Sequence, residues 1–201
     1  IGAWRREVVL QAGGFEANTL AEDTDLTFKV RLLGYHTICD NRALAYTEAP
    51  DGFSALARQR FRWSFGILQA LWKHRRQLLK PEYGAFSCVV MPSMWIYNFA
   101  LQVLAPFVDL SVMYLLFTGD WSVVCYYLAA FFVLDLVASY LALWLDGEDK
   151  KLLLWLFWQR FVYREFMYYI IVKSLLHALR GSRVGWGKLQ RKATVSMPDQ
   201  L

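Results

Sequence analysis

The chain has 201 residues, enough for one core of ordinary size, but 57% of them are hydrophobic, nine are Trp and the mean hydropathy is +0.26, which sets it apart from an average soluble domain and points to a membrane. The net charge of +5 gathers in residues 58–80 and 173–192, beside apolar runs, a pattern that fits the cytoplasmic face of a membrane and speaks against a nucleic-acid partner. Cys39, Cys88 and Cys125 are too widely spaced for a small disulfide framework or a zinc site, and His36, His74 and His177 show no ligand spacing.

Ile1 opens the chain without a methionine or a signal-peptide pattern, and the first residues read as the middle of a domain, so the expectation is the C-terminal part of a longer protein. Residues 4–12 have helical composition, with Gly13-Gly14 as the stop before Phe15. A second helix is predicted over 22–33, with Leu26, Val30 and Leu33 inward and Gly34 ending it. Residues 36–39 and 43–47 suit two short extended pieces bent at Asp40-Asn41, and Pro50-Asp51-Gly52 closes the region. Ser54 is the expected cap of a helix reaching about His74. In it Ala57, Phe61, Phe65, Leu68 and Trp72 form an apolar stripe and Arg58, Arg62 and Lys73 lie elsewhere, as in a helix resting on a membrane surface.

Composition changes sharply near Pro81. Residues 86–108 carry no charge and the apolar run continues past Asp109 to Phe117, longer than the roughly 20 residues one crossing needs. Pro92 and Pro106 are expected to kink it. Thr118-Gly119-Asp120-Trp121 offers turn chemistry before a second apolar run, 122–145, and the two runs read as a membrane hairpin. The basic residues before Pro81 and Lys150-Lys151 after the hairpin place both its ends on the cytoplasmic side. Residues 152–179 contain Arg160, Arg164 and Glu165, costly in lipid, and either span with those groups facing a polar lane or lie along the surface. The tail from Arg180 is basic and rich in glycine, which disfavours a regular helix.

Two stretches carry chemistry. Gln59, Arg62 and Trp63 of Gln59-Arg60-Phe61-Arg62-Trp63 stand at i, i+3 and i+4, so one helix face joins a flat ring that can stack on a sugar to a planar cation that suits a phosphate. A solvated basic stripe on an amphipathic helix is the structural alternative. Glu22-Asp23 opens a helix, where acids complement the exposed N–H groups.

Gly13-Gly14-Phe15, Ala21-Glu22-Asp23 and Gln59-x-x-Arg62-Trp63, in this order, resemble the later half of a processive family 2 glycosyltransferase, the family of cellulose, chitin, hyaluronan and poly-N-acetylglucosamine synthases. The resemblance covers residues 1 to 80 by motif and the rest by membrane layout. It implies an α/β start followed by membrane α-helices: residues 1–80 as the C-terminal portion of a GT-A glycosyltransferase domain with an interfacial helix, 81–180 as transmembrane or interfacial helices, and 181–201 as a basic tail. The implied reaction is inverting transfer from a nucleotide diphosphate sugar, a UDP-sugar by this reading, to a growing polysaccharide at the plasma membrane, with the catalytic side cytoplasmic and the chain multi-pass.

In that scheme Asp23 matches the catalytic base and Glu22 orients it or binds the acceptor. Arg62, with Arg60, stabilises the leaving diphosphate together with a divalent cation, Mg or Mn, held mainly by residues upstream of Ile1, with no metal site in this stretch itself. Trp63 is the sugar platform and Gln59 a hydrogen-bonding partner of acceptor or donor. Trp186 and Arg191, in a tail similar to the closing segments of such synthases, are gating candidates. Ala21 stands where many relatives have Thr. Tail and loop texture lean toward N-acetylglucosamine as the sugar. Two other readings stay open: a non-processive family 2 enzyme with a lipid-linked acceptor, and a non-enzymatic membrane-anchored interaction module whose basic helix docks on anionic lipid.

Overall fold

The computed structural model describes residues 2–181 apart from Asn41, Leu44, Tyr46 and Asp120. Helix α1 (Arg6–Gln11) is shorter than expected because the backbone at Arg5 is still extended, with φ −68° and ψ 124°. It closes through Gly13 and Gly14, both at positive φ (81° and 75°), a conformation that glycine adopts without steric cost. The Gly14 amide donates to the Val9 carbonyl and the Gly13 amide to that of Leu10, the paired bonds that satisfy the last carbonyls of a helix. Phe15 and Glu16 follow directly from this turn.

Helix α2 (Glu22–Leu32) has Glu22, Asp23 and Asp25 in its first turn and Lys29 and Arg31 in its last, a charge order that complements the helix dipole. Ala21 at its N-cap offers no capping side chain. Leu26 and Val30 pack with Val8 of α1 in a small core cluster, as their spacing predicts. Leu33 does not join them; it lies past the last turn and is 43% exposed. Phe28 enters the larger cluster instead.

Residues 35–40 have no regular structure, and no strand occurs among the described residues, so here the expected α/β start consists of helices and loops only. The physical reason is the missing partner: an extended segment is stable as a strand only when a neighbour satisfies its amides.

Helix α3 (Phe53–Lys73) begins from Gly52, not from Ser54, whose hydroxyl sits inside the first turn 3.2 Å from Arg58 Nη1. Its buried side is Ser64, Phe65, Gly66, Leu68, Ala70 and Leu71. Leu68 and Leu71 join Phe28, Phe86, Met91, Phe99 and Ile171 in the main core, with Phe28 edge-on to Phe86 at 5.2 Å between centroids. Leu71 and Met91 are fully buried, each burial stabilising by about 1.5–3 kcal/mol. The apolar face expected to rest on a membrane is thus largely covered by protein. Trp72, assigned to that face, is exposed instead, with the Arg75 guanidinium 4.4 Å from its ring, because the core partners meet Leu68 and Leu71.

Two helices, α4 (Phe86–Thr118, 33 residues) and α5 (Trp121–Asp146, 26 residues), are long and apolar enough to cross a membrane, with mean hydropathies of 1.8 and 2.1. Widened π-helical turns at Phe86–Val90 and Ile96–Ala100 bracket the short α segment Met91–Trp95 that contains Pro92. Such turns are one way a helix accommodates a residue that cannot donate an amide bond. Beyond α5 the chain winds through a 3-10 stretch (Lys150–Trp155), a short α turn (Leu156–Trp158) and a π turn (Gln159–Tyr163) into α6 (Arg164–Leu179).

Residues up to Phe99, with those from Ile170, form one compact unit, and Ala100–Tyr169 forms a second. In the second, a cavity of about 800 Å³ is lined by α4, α5 and the segment leading into α6. Its charged groups are paired: Arg160 with Asp135, and Arg164 with Asp109 at 2.5 Å. Asp109 and Asp135, anomalous in apolar runs, therefore have partners, which is how ionised groups persist in such surroundings.

Candidate functional site

The acid pair at the start of α2 is held against α3 by a close backbone approach. A Cβ built on Gly66 would lie 2.7 Å from both the amide nitrogen and the Cβ of Ala21, so only glycine fits there. Next to it, Gln69 Oε1 accepts from the Leu20 amide at 2.9 Å. Together they fix Leu20 and Ala21 on α3, and Glu22 and Asp23 follow at once in the chain. Trp63 stands three residues before Gly66, about 4.5 Å of helical rise away. The acid turn and the Gln-x-x-Arg-Trp helix, 36 residues apart from Asp23 to Gln59 in the sequence, thus meet in the first unit. Gly66→Val should force the two backbones apart and destabilise the fold by about 1–3 kcal/mol, measured by thermal unfolding in detergent.

Asp23 is exposed and one of its carboxylate oxygens accepts from the Thr24 amide at 2.8 Å. It lines a cleft of about 470 Å³ with Thr24, Thr27 and Arg31 of α2, Trp4, Thr37 and the apolar Phe86, Val90 and Met94. Glu22, Gln59, Arg60, Arg62 and Trp63 do not line that cleft. Trp63 is 46% exposed, and the Arg60 guanidinium lies 4.7 Å from its ring centroid. An indole left half in water on a helix whose other face is a packed core is available to a ligand. Trp186 and Arg191 lie outside the described residues.

Behind the acid pair is a charge network that motif reading passes over. Asp25, 1% exposed, accepts from Lys73 Nζ and from His74 Nε2, each at 2.8 Å, and has Lys29 Nζ at 3.6 Å. Glu16 bridges Lys29 and Lys73, the latter at 2.9 Å. The Asp25–Lys29 spacing of i, i+4 was a visible signal; the link to Lys73 and His74, 48 and 49 residues on, was not. For Lys73, burial works to lower the pKa, but the hydrogen bonds and charges of Asp25 and Glu16 outweigh it and the net shift is upward.

The Lys29 and Lys73 ammonium groups hold the Glu16 carboxyl down from the ordinary 4.5 to about 2. Because the folded value lies below the unfolded one, the stabilisation is complete above pH 4.5 and is lost as pH falls toward 2. Thermal unfolding in detergent should show this acid limb, and Glu16→Gln should flatten it between those two values. Among the described residues, no three His, Cys, Asp or Glu side chains gather as a metal site requires. The nearest acids, Glu16 and Asp25, already face ammonium and imidazole groups, so these residues do not fit a divalent cation.

Comparison with known proteins places this arrangement. The chain is 27% identical over 202 residues to the probable glycosyltransferase YdaM of Bacillus subtilis (strain 168), covering 94% of the chain and 47% of that protein. It is 38% identical over 65 residues to the probable glucomannan 4-beta-mannosyltransferase 6 of Oryza sativa subsp. japonica (32% of the chain, 11% of that protein), and 31% identical over 81 residues to the glucomannan 4-beta-mannosyltransferase 7 of Arabidopsis thaliana (40% and 15%). The chain therefore spans about half or less of the length of these curated relatives. No solved structure matches it. Residues 3–145, well over half of the chain and inclusive of both motifs, match the family described as glycosyl transferase family group 2, and to that family the chain belongs.

Proposed function

We propose that the protein is a membrane-embedded, processive glycosyltransferase that extends a polysaccharide by inverting transfer from a nucleotide diphosphate sugar. The observation that carries this reading is the pinning of the Glu22-Asp23 turn on the Gln-x-x-Arg-Trp helix at Gly66, with Asp23 open to a cleft bordered by the first turns of a bilayer-length helix. Asp23 takes the acceptor proton as the glycosidic bond forms, which needs one carboxylate within hydrogen-bond reach of the hydroxyl. Glu22 orients that base or the acceptor. Arg62, with Arg60, meets the charge gathering on the leaving diphosphate, for which a planar guanidinium is suited. Trp63 stacks on a sugar and Gln59 hydrogen-bonds it.

Among the described residues no acidic cluster suits a cation, and a divalent cation, Mg or Mn, is proposed to be held mainly by residues outside them. The protein is multi-pass, with the acid turn on the cytoplasmic side, supported by the basic residues before Pro81 and at Lys150-Lys151. Trp186 and Arg191 gate the entrance from the tail in this scheme.

The test is a product-length assay on the full-length protein in vesicles, given labelled UDP-N-acetylglucosamine or a nucleotide diphosphate mannose in parallel. N-acetylglucosamine follows from the tail and loop texture, mannose from the names of two relatives. Long chains from a single binding event support the proposal. A single sugar on a lipid acceptor establishes the non-processive alternative, and no incorporation from any nucleotide sugar overturns both.

A further inference from the structure

Asp23 and Asp25 are two residues apart on one helix, so their side chains leave α2 about 200° apart. Asp23 shares the cleft face with Thr27 and Arg31, which follow at i+4 and i+8. Asp25 shares the other with Lys29, and that face is closed at the C-terminal end of α3: Lys73 and the C-cap residue His74 both reach the Asp25 carboxylate at 2.8 Å, one on each oxygen. Gly66 and Gln69 clamp the start of α2, and Leu26, Phe28 and Val30 seat its apolar side in the core. The tie at Asp25, with both oxygens engaged, adds a directional constraint that apolar packing lacks. Glu16, reached by Lys29 and Lys73 together, ties the Gly13-Gly14 turn to the same point. Ionised groups buried this deeply are costly, and a well-packed apolar pair holds two helices together at least as firmly. What the charges add is direction, since a carboxylate bonded on both oxygens accepts one helix rotation.

We propose that Asp25 is a positioning residue: its carboxylate, held by Lys73 and His74, sets the rotation of α2 that turns Asp23 into the cleft. The inference rests on the reading of Asp23 as the base. Asp25→Asn keeps the shape and Lys73 keeps Glu16, so the variant folds, but the amide offers one acceptor oxygen where the carboxylate offers two, so one of the two ties is lost and the rotation of α2 is less tightly set.

The experiment is a double-mutant cycle on the full-length protein in membranes, with turnover and donor KM measured for Asp25→Asn, Asp23→Asn and the pair. Asp25→Asn alone lowers kcat about tenfold with donor KM within about twofold, the signature of a misplaced group rather than lost binding. In the Asp23→Asn background the same change alters the residual rate by less than about twofold, because there is no longer a base to misdirect. A tenfold loss in both backgrounds means Asp25 acts on the fold at large and overturns the proposal, as does parent-level turnover in Asp25→Asn alone. Parent-level turnover in Asp23→Asn fails the catalytic reading itself, a separate outcome visible in its own arm. If Asp25→Asn does not accumulate in membranes, His74→Gln takes its place in the cycle under the same criteria.

Discussion

Asp23→Asn in the full-length protein should leave binding of the nucleotide sugar nearly intact and lower turnover at least about a hundredfold, the usual scale for losing a general base. The substitution is close to isosteric and Asp23 is exposed, so the fold has little to lose. The Thr24 amide still finds an oxygen acceptor on an asparagine, which keeps the local turn. What disappears is the capacity to take a proton. Labelled polymer formed per folded molecule reports the effect, and turnover near the parent level removes Asp23 from the mechanism.

Trp63→Ala should abolish elongation in protein that still inserts and still binds nucleotide. The ring is 46% exposed and touches none of the main core, whose α3 members are Leu68 and Leu71. Truncating it therefore leaves no large internal void, unlike a core tryptophan, whose loss costs about 3–5 kcal/mol. Arg60 loses the face it lies over at 4.7 Å, worth about 0.5–1 kcal/mol at an exposed site. Neither loss unfolds the protein, so a variant that loses nucleotide binding in detergent contradicts the assignment of Trp63 to a sugar. Trp63→Phe keeps a stacking surface and should retain more activity than Ala under either reading.

The helices were legible in the sequence because their punctuation is chemical: Gly13-Gly14 and Gly34 mark the ends of α1 and α2, and two uncharged runs mark α4 and α5. Local signals misplaced Ser54 as a cap, since capping depends on which residue holds extended backbone, and that residue is Gly52. They also put Trp72 and Leu33 inward, because periodicity gives the angle of a side chain on its helix but not where the neighbouring helix stops. Extended pieces were expected over 36–39 and 43–47; residues 36–39 have no regular structure, and 44 and 46 of the second piece lie outside the described residues. In the site, the two motifs were readable and their meeting was not. It depends on Gly66 and Gln69, whose contacts to Leu20 and Ala21 cross more than 40 residues and carry no periodic signature. The Asp25 network escaped for the same reason, as did the pairing of Asp109 and Asp135 with Arg164 and Arg160.

If Asp23 is the base, the acceptor hydroxyl meets it in the cleft that its carboxylate lines. A structure of the full-length protein trapped with an acceptor oligosaccharide and an unreactive donor analogue tests it most directly. The terminal acceptor hydroxyl should lie within about 2.6–3.2 Å of the Asp23 carboxylate, the distance a proton transfer requires. A sugar ring should stack on Trp63. An acceptor seated away from the cleft, with Asp23 facing solvent and Trp63 bare, would contradict it.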